Sequence, residues 1–122
     1  MDNWLTPEHL HVIVNHLPLV GLGAAIIPLV IGLVWHDRPT TIAGLIMTTL
    51  FGASVALVMS TGEAAEERFE HELAPLLDEG GGEWMEIHEH RAHDWSKLVY
   101  ATAAVGAAGL ALSFTRRGQM IV

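Results

Sequence analysis

Histidines and carboxylates are the side chains of this protein best suited to chemistry, and nearly all of them fall at one end of three uncharged segments. Seven of the eight histidines and thirteen of the fourteen acidic residues precede the first segment or lie between the second and the third. Imidazoles and carboxylates bind transition metals and transfer protons. Because the chain has no cysteine, disulfides and thiolate sites are excluded. A metal would need imidazole, carboxylate, thioether or backbone oxygen ligands.

His88 has the most informative position among the histidines. At about 100° per residue, the apolar face of its helix carries His88 together with Trp84, Ala92, Trp95 and Val99. The opposite face is polar and carries Glu86, His90, Asp94 and Lys97. We therefore predict that His88 is buried and has a metal or a carboxylate as its partner, because a buried imidazole without one is costly. His90 and His93 are predicted to be solvated.

A second polar group lies where the first helix enters the apolar region. His11 and Asn15 are one helical turn apart on the same ridge, and His16 follows directly. Polar groups at this depth are costly and indicate function, although hydrogen bonding between helices is an alternative explanation.

The elements that position these residues are predicted to be membrane-spanning helices. The uncharged segments cover residues 17–35, 39–62 and 98–115, and each is close to the roughly 20 residues that cross a bilayer. We predict an all-α, multi-pass bundle of three transmembrane helices, in contact with lipid, that forms one domain over residues 1–122. Pro18 and Pro28 are expected to kink the first helix because proline cannot donate a backbone hydrogen bond.

The basic residues predict the orientation of the bundle, because Lys and Arg near membrane ends stay on the cytoplasmic side. Arg38 lies between the first two spans, and Arg116 and Arg117 follow the third. In the inner membrane of a bacterium, the N-terminus and residues 63–97 would then be periplasmic and the C-terminus cytoplasmic. The outer segment carries eleven acidic residues against three basic ones. This acidic helical segment would repel nucleic acid and attract cations.

Three motifs resemble those of a family of small bacterial membrane proteins of unassigned function. They are LHVIVNHLP at residues 10–18, TGEAAEE at 61–67 and HEHRA at 88–92. They correspond to the LHxxxNHLP, TGExAEE and HExxA signatures of that family. The chain is also distantly similar to a membrane domain with an HPxxVHFPI opening, which occurs beside cytochrome modules. The resemblance singles out His11, Asn15, His16, Gly62, Glu67, His88 and Glu89.

Together these observations predict a transition-metal site at the periplasmic end of the bundle, with the metal being copper, iron or zinc. The expected ligands are His11, His16, Glu67 and His88, supported by Asn15, Glu63 and Glu89. The association with cytochrome modules implies a redox or electron-transfer role with a periplasmic or membrane redox partner. One alternative is a b-type haem with His16 and His88 as axial ligands. Another is an accessory or assembly subunit of a respiratory complex, in which the polar cluster only locks the helices together.

The small residues of the second span predict a homodimer. Gly44, Thr48, Gly52, Ala56 and Ser60 recur at four-residue intervals and form a ridge that another helix can approach closely. Longer members of the family have a fourth span that this chain lacks. We therefore expect a second copy to pack on this small-residue ridge and to complete the wall of the site.

Overall fold

The computed structural model describes residues 6–68, 71 and 79–115, and the regular structure within these residues is entirely helical. The helices are α1 (Pro7–Val14), α2 (His16–Val34), α3 (Arg38–Ala53), α4 (Val55–Arg68) and α5 (Glu79–Ser113). This confirms the all-α prediction. The part of the predicted acidic segment at residues 69–70 and 72–78 lies outside the described residues.

These helices form three long rods. Pro7–Val34, Arg38–Arg68 and Gly80–Ser113 each contain a stretch apolar enough to cross a membrane, with mean hydropathies of 2.5, 2.1 and 1.2. Their outer surfaces expose large apolar side chains such as Leu19 at 76% and Val105 at 72%. Lipid tails solvate such a surface, whereas water would make it costly. The structure thus agrees with three membrane spans.

Local backbone chemistry explains where the helices begin and turn. The side chain of Thr6 accepts a hydrogen bond from the backbone N–H of His9 and caps α1, with Pro7 in the first turn. The side chain of Asp37 accepts from the backbone N–H of Thr40 at 3.1 Å and caps α3. Between α2 and α3, His36 has a φ of 54°, in the left-handed region that commonly ends a helix. The chain therefore reverses within a few residues.

The two predicted proline kinks differ in the structure. Regular helix is interrupted at Asn15, between α1 and α2. Pro18 follows closely and has no N–H to offer the carbonyl of Val14. In contrast, Pro28 lies inside an uninterrupted α2. The rod made by α3 and α4 is also interrupted, at Ser54, whose hydroxyl donates to the carbonyl of Phe51 at 2.6 Å.

The small-residue ridge of the second span is used within the chain, so its assignment to a second copy is wrong at Gly44 and Gly52. A Cβ built on Gly44 would lie 2.8 Å from the backbone nitrogen of Leu29 in α2. On Gly52 it would lie 2.8 Å from the Cβ of Ala103 in α5. The three spans pack on one another through these glycines, and a homodimer, which stays a prediction, would need another surface.

Polar contacts join the helices at both ends of the bundle. At the end where α3 begins and α5 ends, the guanidinium of Arg38 donates to the carbonyl of Ser113 at 2.6 Å and lies 6.0 Å from the ring centroid of Phe114. This satisfies a carbonyl that the end of α5 leaves without a helical partner. At the other end, Arg68 and Glu8 form an ion pair at 2.6 Å that joins α4 to α1.

Candidate metal centre

A cavity of about 600 Å³ lies between α1, α4 and α5 at the end of the bundle that carries the histidines. Its deeper wall is apolar and includes Pro18, Val55, Val58 and Val99. The polar groups around it include His11, Asn15, Glu63, His88 and Glu89, all of which are among the predicted site residues. The helices therefore bring five of the seven predicted residues to one cavity.

His11 is held against α4 by its own hydrogen bonds. Its Nδ1 lies 3.1 Å from the carbonyl oxygen of Val58 and 3.3 Å from the hydroxyl of Thr61. A carbonyl oxygen only accepts, so this contact is a hydrogen bond only if Nδ1 donates, which assigns the Nδ1–H tautomer to a neutral imidazole. The other ring nitrogen, Nε2, then has a free lone pair. A hydrogen bond from one ring nitrogen to a backbone carbonyl is the arrangement that orients metal-binding histidines.

The close approach of His11 to α4 depends on Gly62. A Cβ at this position would lie 3.0 Å from Cε1 of His11 and 3.2 Å from Nδ1. Ordinary contacts between carbon atoms begin at about 3.5 Å. Glycine therefore leaves the space that the imidazole occupies, which gives a physical reason for the glycine in the TGEAAEE motif.

His88 faces His11 from α5. The two ring centroids are 6.3 Å apart and the ring planes are nearly perpendicular, at 87°. Trp84, Ala92, Trp95 and Val99 line the same cavity as His88, as the predicted helix phase requires, but His93, which was predicted to be solvated, lines it too. Its predicted burial is wrong, because the cavity is open and His88 is exposed there. Trp84 and Trp95 beside it are 70% and 65% exposed.

The structure does not place two of the predicted ligands at the cavity. His16 and Glu67 are both exposed and outside its lining. His16 is five residues after His11, and Glu67 is five residues after Gly62, which turns each side chain about 140° away from the inward direction. The cavity therefore brings His11 and His88 together without His16 and Glu67.

Four residues at the cavity were missed by the sequence analysis as site residues. Glu66, His93, Met59 and Met85 all belong to its lining. His93 was predicted to be solvated; it is exposed, and it lines the open side of the cavity although it follows His88 by five residues. The position of the two methionines could have been predicted from helix periodicity. Met85 is three residues before His88, and Met59 is three residues before Gly62, so each shares a helix face with that residue.

The donor set around the histidine pair is limited. Within residues 6–68, 71 and 79–115, no three His, Cys, Asp or Glu side chains are grouped closely enough to hold a metal ion by themselves. Comparisons with protein-family models, with curated proteins and with solved structures give no match. The resemblance based on the three sequence motifs stays a prediction.

Proposed function

We propose that this protein is an integral membrane protein that binds a transition metal between His11 and His88. The observation that carries the proposal is the separation of the two rings, whose centroids are 6.3 Å apart. With a metal–nitrogen bond of about 2.0–2.1 Å and about 1.1 Å from nitrogen to ring centre, two imidazoles bound to one ion have ring centres up to about 6.2–6.4 Å apart, and the observed separation lies within that reach. The protonated Nδ1 of His11 leaves Nε2 as its ligand atom.

The proposal keeps part of the ligand set predicted from the sequence. His11 and His88 are retained, and Asn15, Glu63 and Glu89 remain as polar neighbours around the same cavity. His16 and Glu67 are no longer proposed as ligands. The orientation of the bundle remains part of the proposal, with the cavity on the periplasmic side of a bacterial inner membrane. The redox or electron-transfer role, with a redox partner, rests on the resemblance to the domain found beside cytochrome modules.

Metal analysis of purified variants tests the proposal. The protein is purified in detergent, its metal content is measured, and the same is done for His11→Ala and His88→Ala. We expect stoichiometric metal in the native protein and its loss in both variants, because each removes one of the two imidazole ligands. His16→Ala and His90→Ala are matched controls outside the cavity and should keep the metal. Retention of metal by both His11→Ala and His88→Ala would contradict the proposal.

A b-type haem held by His11 and His88 is the second candidate. A cavity of about 600 Å³ with apolar walls favours it, because a haem needs two axial ligands and an apolar surrounding rather than a cluster of donors. The haem pair differs from the predicted pair in that His11 replaces His16. When bound, a haem would supply one-electron redox chemistry.

An absorption spectrum separates the two candidates. A Soret band with sharp reduced α and β bands would indicate haem, and a metal without these bands would indicate a bare ion. A protein without metal or haem, destabilised by His88→Ala, would instead support the accessory-subunit alternative.

A further inference from the structure

Two thioethers belong to the same cavity as the two imidazoles. Of the three methionines within the described residues, Met59 and Met85 line the cavity, and Met47 does not. Both cavity methionines are half-buried. The chain has no cysteine, so thioethers are the soft ligands that it can offer to a metal.

Each methionine lies about one helical turn from a residue that carries or contacts one of the two imidazoles. Met85 is three residues before His88 on α5, and this spacing places two side chains on one helix face. Met59 is three residues before Gly62 on α4, and Gly62 is the residue against which His11 packs. Hence α5 presents His88 and Met85 to the cavity, and α1 and α4 together present His11 and Met59.

We propose that the site is selective for Cu(I), with His11 and His88 as its imidazole ligands and Met59 and Met85 as its thioether ligands. This inference rests on the proposed function, because it names the metal of the same site. Soft thioethers favour Cu(I), whereas Mg²⁺, Ca²⁺ and Mn²⁺ favour oxygen ligands. The described part of the chain groups no third His or carboxylate with the two imidazoles closely enough to complete a site, so the thioethers would complete the ligand set.

The charge around the opening is consistent with a cationic ligand. Glu63, Glu66 and Glu89 line the cavity, together with the basic residue Arg91. Three carboxylates against one guanidinium make the rim acidic and raise the local concentration of cations. The carboxylates would thus attract the ion, and the softer groups would determine which ion is retained.

A Cu(I) titration under anaerobic, reducing conditions tests this inference. The purified full-length protein competes for Cu(I) with a chromophoric Cu(I) chelator, and tryptophan fluorescence is recorded because Trp84 and Trp95 line the cavity. The native protein should bind one Cu(I) and change its fluorescence. The double variant Met59→Leu/Met85→Leu should lose more than about tenfold in Cu(I) affinity, since even indirect ligand partners contribute tenfold or more.

Two controls make the result specific to the thioethers. Met47→Leu makes the same substitution outside the cavity and should keep native Cu(I) affinity. Leucine is close to methionine in volume, so neither set of substitutions should unfold the protein. Zn(II) affinity should change little in the double variant. X-ray absorption should detect sulfur neighbours of copper in the native protein and none in the double variant.

The outcomes separate this inference from the proposed function. The Cu(I) inference would be overturned if the double variant bound Cu(I) as tightly as the native protein and X-ray absorption detected no sulfur neighbours of copper in the native protein. Loss of metal in His11→Ala and His88→Ala would still support the proposed function in that case. If His11→Ala and His88→Ala both bound metal like the native protein, the proposed function and the Cu(I) inference would both be overturned. A purified protein with haem in the cavity and no Cu(I) binding would also overturn the Cu(I) inference.

Discussion

Gly62→Ala should weaken metal binding by displacing His11. The added Cβ would lie 3.0 Å from Cε1 of His11, so restoring an ordinary contact of about 3.5 Å requires the ring to move by about 0.5 Å. Gly62 and Val58 both belong to α4, and the ring must move away from that helix. The 3.1 Å distance from Nδ1 to the Val58 carbonyl oxygen would then become about 3.6 Å, too long for a hydrogen bond.

The effect on stability should be small because two contributions oppose each other. Alanine is favoured over glycine within a helix by about 1 kcal/mol. Loss of the His11 hydrogen bond costs about 0.5–1.5 kcal/mol. The free energy of unfolding should therefore change by less than about 1 kcal/mol. Metal affinity should fall by about 10- to 100-fold, as it does when the group that orients a ligand is removed.

The assay compares Gly62→Ala with Gly23→Ala. Both replace a helical glycine, but a Cβ on Gly23 would meet nothing within 4 Å, so that variant should keep native metal affinity. Affinity is measured by metal titration, and thermal unfolding is followed in the same detergent. If Gly62→Ala binds metal as tightly as Gly23→Ala, the position of His11 on α4 does not control the site.

Three other perturbations test the bundle. Gly52→Leu should prevent native packing of α3 on α5, since even a Cβ would lie 2.8 Å from Ala103 Cβ; native thermal stability would contradict this. Arg38→Met should lower the free energy of unfolding by about 1–3 kcal/mol by removing the hydrogen bond to Ser113; an unchanged melting temperature would show that the contact is unimportant. An alkaline phosphatase fusion after residue 117 should be inactive in cells, and activity would reverse the proposed orientation.

Several features of the site were predictable from the order of residues alone. The placement of His11 and His88 at the same end of the bundle follows from the three uncharged segments, because each crossing reverses the direction of the chain. The presence of Trp84, His88 and Trp95 at one cavity follows from the apolar periodicity of their helix, although all three are exposed there. The first depends on the order of the segments and the second on the periodicity of one helix, so the sequence determines both without reference to packing.

Only the tertiary structure decided which helix faces meet. Gly44 and Gly52 could have faced a second copy, but they pack on Leu29 and Ala103 of the same chain. His16 was a reasonable ligand by distance along the chain, but the helix turns it away from the His11 ridge. Contacts between residues far apart in sequence depend on the relative rotation of helices and on their combined packing. For that reason the contact of the His11 ring with the His88 ring without His16, and the placement of Met59 and Met85 at the same cavity, came from the structure.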